Sequence, residues 1–206
     1  MLIFLDRNLT FLAVPKAGST AFETALRPHA SIDVRSPPNN RHMTARRYRK
    51  AWGPFLKRVW NAEPETIAIL REPRARLESW FRYRHSGTRA KSTAEMSFED
   101  FVLASMSTAP PEPARIGMQD TFTCDEAGKI LVDHLFTVEN PAPLHAFLAE
   151  RFGMPISIAQ RNVSGEVDVS LSPGTEDAMR AARAGEYALY KKVAETGHLH
   201  TPQRAP

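Results

Sequence analysis

The sequence predicts an α/β fold in which helices cover a central, mainly parallel sheet, a three-layer α/β/α arrangement. Three observations point there. Residues 66–70 form a short, continuous apolar run, as in a strand buried on both faces. Residues 2–5 and 10–14 also read as strands, and Pro15 stops the second. Helical segments then follow the strands after short loops, so that strand–loop–helix recurs along the chain. In such folds ligands sit at the carboxyl ends of the strands.

Taken in order, Asp6-Arg7-Asn8 is a hairpin turn between the first two strands. Lys16-Ala17-Gly18-Ser19-Thr20 leads into a helix ending near Leu26. Residues 43–52 read as a basic helix, and Pro54 restarts a helical turn to Trp60. After the strand at 66–70, residues 74–85 are helical, with Leu77, Trp80, Phe81 and Arg84 at core-facing spacing. Ser97-Phe98-Glu99-Asp100 is a capping-box sequence opening a helix to Met106. Residues 122–138 read as a hairpin turning at 125–128, and further helices fill 141–152 and 175–194. The Pro-rich stretches at 36–40 and 109–113 read as loops. A single domain over residues 1–198 accounts for these elements, with 199–206 as a flexible tail.

Composition excludes several classes. Hydrophobic residues make up 42% and charged residues 24% of the chain, ordinary globular values that argue against disorder. No apolar run approaches the roughly 18 residues a membrane helix needs. The N-terminal residues lack the basic leader of a signal peptide. Cys124 is the only cysteine, so no internal disulfide is possible, and a reducing cytoplasm is the expected location. The net charge is only +4, but arginine is concentrated in two segments, 41–50 and 71–91. That distribution suits a polyanionic small molecule, or else two solvated helix faces.

Two motifs carry chemistry. In the first, a strand runs through Val14-Pro15 into Lys16-Ala17-Gly18-Ser19-Thr20 at a helix start. Free backbone N–H groups and the positive dipole end make such a start an anion cradle. Lys16 precedes Gly18, so this is not a Walker A loop, where Lys follows the second Gly. A turn with a plain helix cap is the structural alternative. In the second motif, Arg71 ends a buried strand and Ser79 stands on the helix that follows Pro73. That spacing brings an arginine and a hydroxyl to one phosphate. The structural alternative pairs Arg71 and Arg76 with Glu72 or Glu78.

Together the two segments resemble the paired nucleotide-binding signatures of the sulfotransferases that use 3′-phosphoadenosine 5′-phosphosulfate (PAPS). Pro15-Lys16-Ala17-Gly18-Ser19-Thr20 is similar to their P-loop-like 5′-phosphosulfate loop. Arg71-Glu72-Pro73-Arg74-Ala75-Arg76-Leu77-Glu78-Ser79 is similar to their 3′-phosphate motif, with Glu72 in place of the usual Asp or Asn. Arg41-His42-Met43-Thr44-Ala45, Ser97-Phe98-Glu99-Asp100-Phe101 and Gln160-Arg161-Asn162-Val163-Ser164 extend the likeness, most closely to the carbohydrate-type branch with bacterial members.

The resemblance implies that Lys16, Ala17, Gly18, Ser19 and Thr20 bind the 5′-phosphosulfate and that Arg71 with Ser79 binds the 3′-phosphate. It implies sulfuryl transfer from PAPS to a hydroxyl, or an amine, of a carbohydrate or small metabolite, with 3′,5′-ADP as product. Lys16 suits the departing phosphate oxygen as a mobile charge. His42 is the expected general base, with Glu23 in reserve. The scheme needs no metal, and no His, Asp or Glu cluster with ligand spacing stands out. Residues 27–41, 87–95 and 108–118 are the expected acceptor-facing loops, and nothing in the sequence tells the acceptor or the oligomeric state. Two other readings compete: a non-catalytic anion- or nucleic-acid-binding protein using its arginine-rich helices, and a nucleotide-dependent kinase. The first leaves the Lys–Gly–Ser–Thr loop unused, and the second lacks a magnesium-binding acid after a strand.

Overall fold

Asn8, at φ +48°, closes the turn between β1 (Leu2–Phe4) and β2 (Leu9–Phe11), a conformation asparagine tolerates better than most side chains. The two strands pair antiparallel, Leu2 opposite Phe11 and Phe4 opposite Leu9. The structure, a computed structural model, describes residues 1–85, 91–158 and 167–203. Its sheet has the order β3-β1-β2-β4-β5-β6, where β3 is Ile32–Asp33, β4 Glu65–Leu70, β5 His134–Thr137 and β6 Leu199–His200.

Only the centre of the sheet is parallel. Strand β4 runs parallel to both β2 and β5, whereas β1–β2, β1–β3 and β5–β6 are antiparallel. The expectation of a mainly parallel sheet is thus corrected to a mixed one. The physical reason is local: a turn as short as that from Phe4 to Leu9 can join only antiparallel neighbours.

Strand alternation divides the core. Ile3, Leu12, Ala68, Leu70 and Leu135 belong to one apolar cluster, with Met43, Tyr48, Leu56, Leu189 and Val193. Leu2, Phe4, Phe11, Ile67, Ile69 and Phe136 belong to another, with Phe22, Leu26, Leu144, Leu148 and Phe152. The second cluster draws on α1 (Ser19–Leu26) and on α8 (Pro141–Phe152). A third cluster joins α5 (Pro73–His85) to α6 (Phe98–Ser105) and to Met179 of α9 (Pro173–Ala182). The capping box of α6 forms as the sequence predicts, Ser97 and Asp100 each accepting from the other's backbone N–H.

Three further expectations are corrected. The basic helix expected over 43–52 starts later, at Ala45, after a separate short α2 (Pro38–Arg41), and runs without a break through α3 (Ala45–Arg47) and a π-turn at Tyr48–Trp52 into α4 (Gly53–Trp60). Thr44 is the cause, because its hydroxyl accepts from the Arg47 N–H and starts a new helix. The hairpin over 122–138 shrinks to a single bridge, Cys124 to Ile130, and Phe122 lies in α7 (Gln119–Thr123). Every residue of β5 is buried, and the strand takes its partners from β4 and β6 instead. The tail expected from residue 199 begins with β6, which follows α10 (Ala184–Thr196), and Thr201 N–H bonds the Asp133 carbonyl.

Candidate functional site

Strand β2 ends at Phe11, and residues 12–14 carry the chain past the parallel neighbour, the Leu12 N–H bonding the Ile67 carbonyl at 2.9 Å. The chain then bends through Pro15–Gly18 into α1. Two residues of this bend are left-handed, Lys16 at φ +64° and Gly18 at φ +74°. For lysine that backbone is uncommon and costs on the order of 1 kcal/mol, so the surroundings must hold it. Gly18 has a second reason to be glycine. A Cβ there would stand 2.9 Å from Val138 Cγ2, closer than carbon atoms approach. Gly18 is also the N-cap of α1 and offers no side-chain cap to its first N–H groups. Ala17 and Ser19 are buried, while Thr20 is exposed.

Arg71 follows the last residue of β4 and is fixed through its backbone. Its N–H donates to Gln119 Oε1 at 2.8 Å, and its carbonyl accepts from Gln119 Nε2 at 2.7 Å. Gln119 is fully buried, so both halves of its amide are used on one residue. Glu72 then accepts from the Ala75 N–H with Oε2, ahead of Pro73 in the first turn of α5. Glutamate therefore does the capping that a shorter acid usually does.

The two motifs meet. Burial, with the positive charge of Arg71 added, pushes the Lys16 amine down to about 8. Lys16 Nζ lies 4.2 Å from the centroid of the Tyr83 ring, a cation–π contact made across from α5. Tyr83 lies one turn beyond Ser79 on that helix, so helical spacing from Ser79 is the signal that would have found it. Ser79 itself is half-buried and, among the described residues, no hydrogen bond joins it to Arg71 or Lys16.

Arg71 is also the arginine of α5's leading edge that no acid neutralises among the described residues. Arg74 pairs with Glu176 at 2.7 Å and with Glu78, and Arg82 also pairs with Glu78. Arg76 pairs with Glu186, not with Glu72 or Glu78, which corrects the structural alternative drawn from the sequence. Arg84 is buried and donates to the carbonyls of Glu112, Pro113 and Arg115. The segment 108–118, expected to face an acceptor, is thereby tied to α5. Residues 87–90 of a second expected acceptor loop lie outside the described residues.

Arg76, which the sequence offers only as a local ion-pairing residue, organises the site. Its Nε donates to the Pro15 carbonyl at 3.0 Å and its NH2 to the Gly117 carbonyl at 2.9 Å. Its NH1 donates to Glu186 Oε1, which also accepts from the Gln119 N–H, while Oε2 accepts from Arg183. Burial pushes the Arg76 guanidinium down to about 10, against the pull of Glu186, so it stays charged at neutral pH. A single buried carboxylate thus links the loop of Lys16 to the residue that clamps Arg71.

His42 stands between α2 and α3, not at the start of a helix. Its Nδ1 lies 2.8 Å from the Ala13 carbonyl, and a carbonyl only accepts, so Nδ1 carries the hydrogen. Nε2 keeps its lone pair. Ala13 is three residues ahead of Lys16, so the imidazole is bonded to the segment that leads into the bend. Burial pushes the His42 pKa below its ordinary value, with neighbouring Arg41 helping, while the Ala13 hydrogen bond opposes them. Glu23 is almost fully buried and occupied: Arg41 NH2 donates to its Oε2 at 2.6 Å, and the Met1 amine lies 3.5 Å from Oε1.

A groove of about 770 Å³ opens beside this site, between Glu72 and the α10 residues Tyr187 and Tyr190. Among the described residues no helix is long and apolar enough to cross a membrane. Gln160, Arg161, Asn162, Val163 and Ser164 lie outside the described residues. Compared with models of protein families, with curated proteins and with solved structures, the chain finds no match.

Proposed function

We propose that the protein is a sulfotransferase that moves the sulfuryl group of PAPS to a hydroxyl of a carbohydrate or small-metabolite acceptor. The observation that carries the reading is that Lys16 and Arg71 both follow the carboxyl ends of the parallel neighbours β2 and β4, near enough for the charge of Arg71 to lower the lysine amine. Like charges held together cost energy unless a polyanion joins them. On this reading the bend Pro15–Gly18 is a P-loop-like phosphosulfate loop in a three-layer α/β/α domain. The backbone N–H groups at the start of α1 hold the 5′-phosphosulfate, and Arg71 with Ser79 takes the 3′-phosphate.

The transfer balances as follows. The acceptor oxygen attacks sulfur as His42 Nε2 takes its proton, and the bond between sulfur and the phosphate oxygen breaks. The electron pair leaves with 3′,5′-ADP, where Lys16 meets the new charge. The scheme calls for no metal. The groove beside Glu72 is large enough for the nucleoside, and its tyrosines offer flat faces to a base. The test is calorimetric: 3′,5′-ADP should bind at least tenfold tighter than 5′-AMP, since only the former places a phosphate at Arg71. Equal affinities would overturn the assignment. Transfer of labelled sulfate from PAPS to a panel of sugars then separates an enzyme from a protein that only binds anions.

A further inference from the structure

Glu65, His134 and His200 come from three neighbouring strands, β4, β5 and β6, and each offers a ligand atom within 4.8 Å of the others. We propose that these three side chains form a binding site for a divalent transition ion, with Zn²⁺ its natural occupant, that staples β6 to the sheet. The position is the sheet end opposite Lys16 and Arg71. Glu65 opens β4 and Arg71 follows its close, so a strand of roughly 20 Å separates the two sites.

His134 carries the argument. It is 3% exposed, and its Nε2 is buried without a hydrogen-bond partner. Its other nitrogen, Nδ1, is spent on His198 Nε2 at 3.0 Å. Nε2 faces Glu65 Oε2 at 3.5 Å with no hydrogen bond between them. A metal ion between them would give both atoms a shared partner. An imidazole fixed through its other nitrogen is how metal-ligating histidines are usually held.

The third ligand comes from register. His134 and His200 are direct antiparallel partners whose rings stack at 4.5 Å, so the exposed His200 must turn out of the stack to aim its in-plane lone pair at a shared ion. His200 is exposed, which leaves a coordination position open to water. Two imidazoles and one carboxylate suit zinc, whereas magnesium and calcium prefer oxygen alone. Arg151 is the opposing charge at the site, bonded to Glu65 Oε2. Among the described residues Oε1 has no such partner, so the carboxylate can serve the ion and keep its arginine.

The test uses the full-length chain stripped with a chelator, titrated at neutral pH with Zn²⁺, with Mg²⁺ as the control ion. Expected are one Zn²⁺ per chain, a rise in Tm with Zn²⁺ alone, and the visible absorption of a tetrahedral site when Co²⁺ replaces it. His200→Ala, on an exposed residue, should weaken Zn²⁺ by at least 10–100-fold and abolish the Tm rise, and Glu65→Gln should do likewise. Substoichiometric binding, or an unchanged affinity in His200→Ala, would overturn the site. Sulfuryl transfer plays no part in this argument, so 3′,5′-ADP binding in the same preparations reports on that reading separately.

Discussion

Arg76 donates from Nε to the carbonyl of Pro15 at 3.0 Å, so an arginine of α5 holds the first residue of the bend that carries Lys16. The same guanidinium is tied to Glu186, whose two oxygens serve Arg76, Gln119 and Arg183. Glu186→Ala should strand two buried cations. Breaking a buried pair from one side costs about 3–5 kcal/mol, and urea unfolding should show a loss of that size. Arg76→Met combined with Glu186→Leu should lose less than the sum of the two single changes. An additive double mutant would mean that the pair is not coupled.

Gly18→Ala tests the bend from the other side. Alanine must adopt φ +74° and meet Val138 Cγ2, so it suffers a backbone cost and a steric one. The backbone part is about 1–2 kcal/mol and the clash adds to it. Adding Val138→Ala should relieve the clash alone, giving partial recovery of Tm. Full recovery would show that the left-handed backbone is not needed there.

The parts of the site that the sequence reveals are those built from neighbours in the chain. Pro15 opens the bend, Gly18 permits it, Pro73 starts α5, and Ser97 with Asp100 closes a capping box; each acts within a few residues, although β2 itself stops at Phe11, short of the expected 14. The bend that carries Lys16 and the place of Arg71 are legible for that reason. The supports are not. Arg76 and Glu186 are 110 residues apart, and Gln119 reaches Arg71 across 48. No periodicity marks such pairs, because their spacing is set by how the helices cross the sheet. Glu65, His134 and His200 likewise lack any ligand spacing along the chain, and only the parallel and antiparallel registers bring them together.

Lys16 should give 3′,5′-ADP binding a basic limb. With its amine near 8 in the free protein, binding an anion that prefers the charged form must take up a proton from solvent at higher pH. Affinity should therefore hold to about pH 8 and fall by up to about tenfold per unit above it, as read by calorimetry. Lys16→Met should flatten that limb, and it should lower the transfer rate more than it weakens binding. Stability has the opposite slope. The folded pKa lies below the ordinary 10.5, so the unfolded chain holds the proton longer and the fold gains stability as pH rises between the two values. A pH-independent affinity in the wild type would remove Lys16 from the anion site.

His42 decides the mechanism. The hydroxyl of the acceptor is a poor nucleophile until its proton is shared, and the base must be neutral with a free nitrogen. His42 meets both conditions: Nδ1–H is given to Ala13, and burial keeps the ring below its ordinary 6.5. Glu23 meets neither requirement as well, since Arg41 and the Met1 amine already occupy its carboxylate. His42→Ala should lose about 10²–10⁴ in transfer rate while keeping 3′,5′-ADP affinity within a few-fold. The wild-type rate should stay level through neutral pH and fall only below the ordinary histidine value, because the depressed pKa delays protonation. The fold should weaken over the same acid range, where the unfolded chain protonates first. His42→Gln separates position from proton transfer: its amide can donate to the Ala13 carbonyl but cannot act as a base, so it should keep the fold and lose the rate. Near-normal turnover in His42→Gln, with the acid limb intact, would assign the proton to another group.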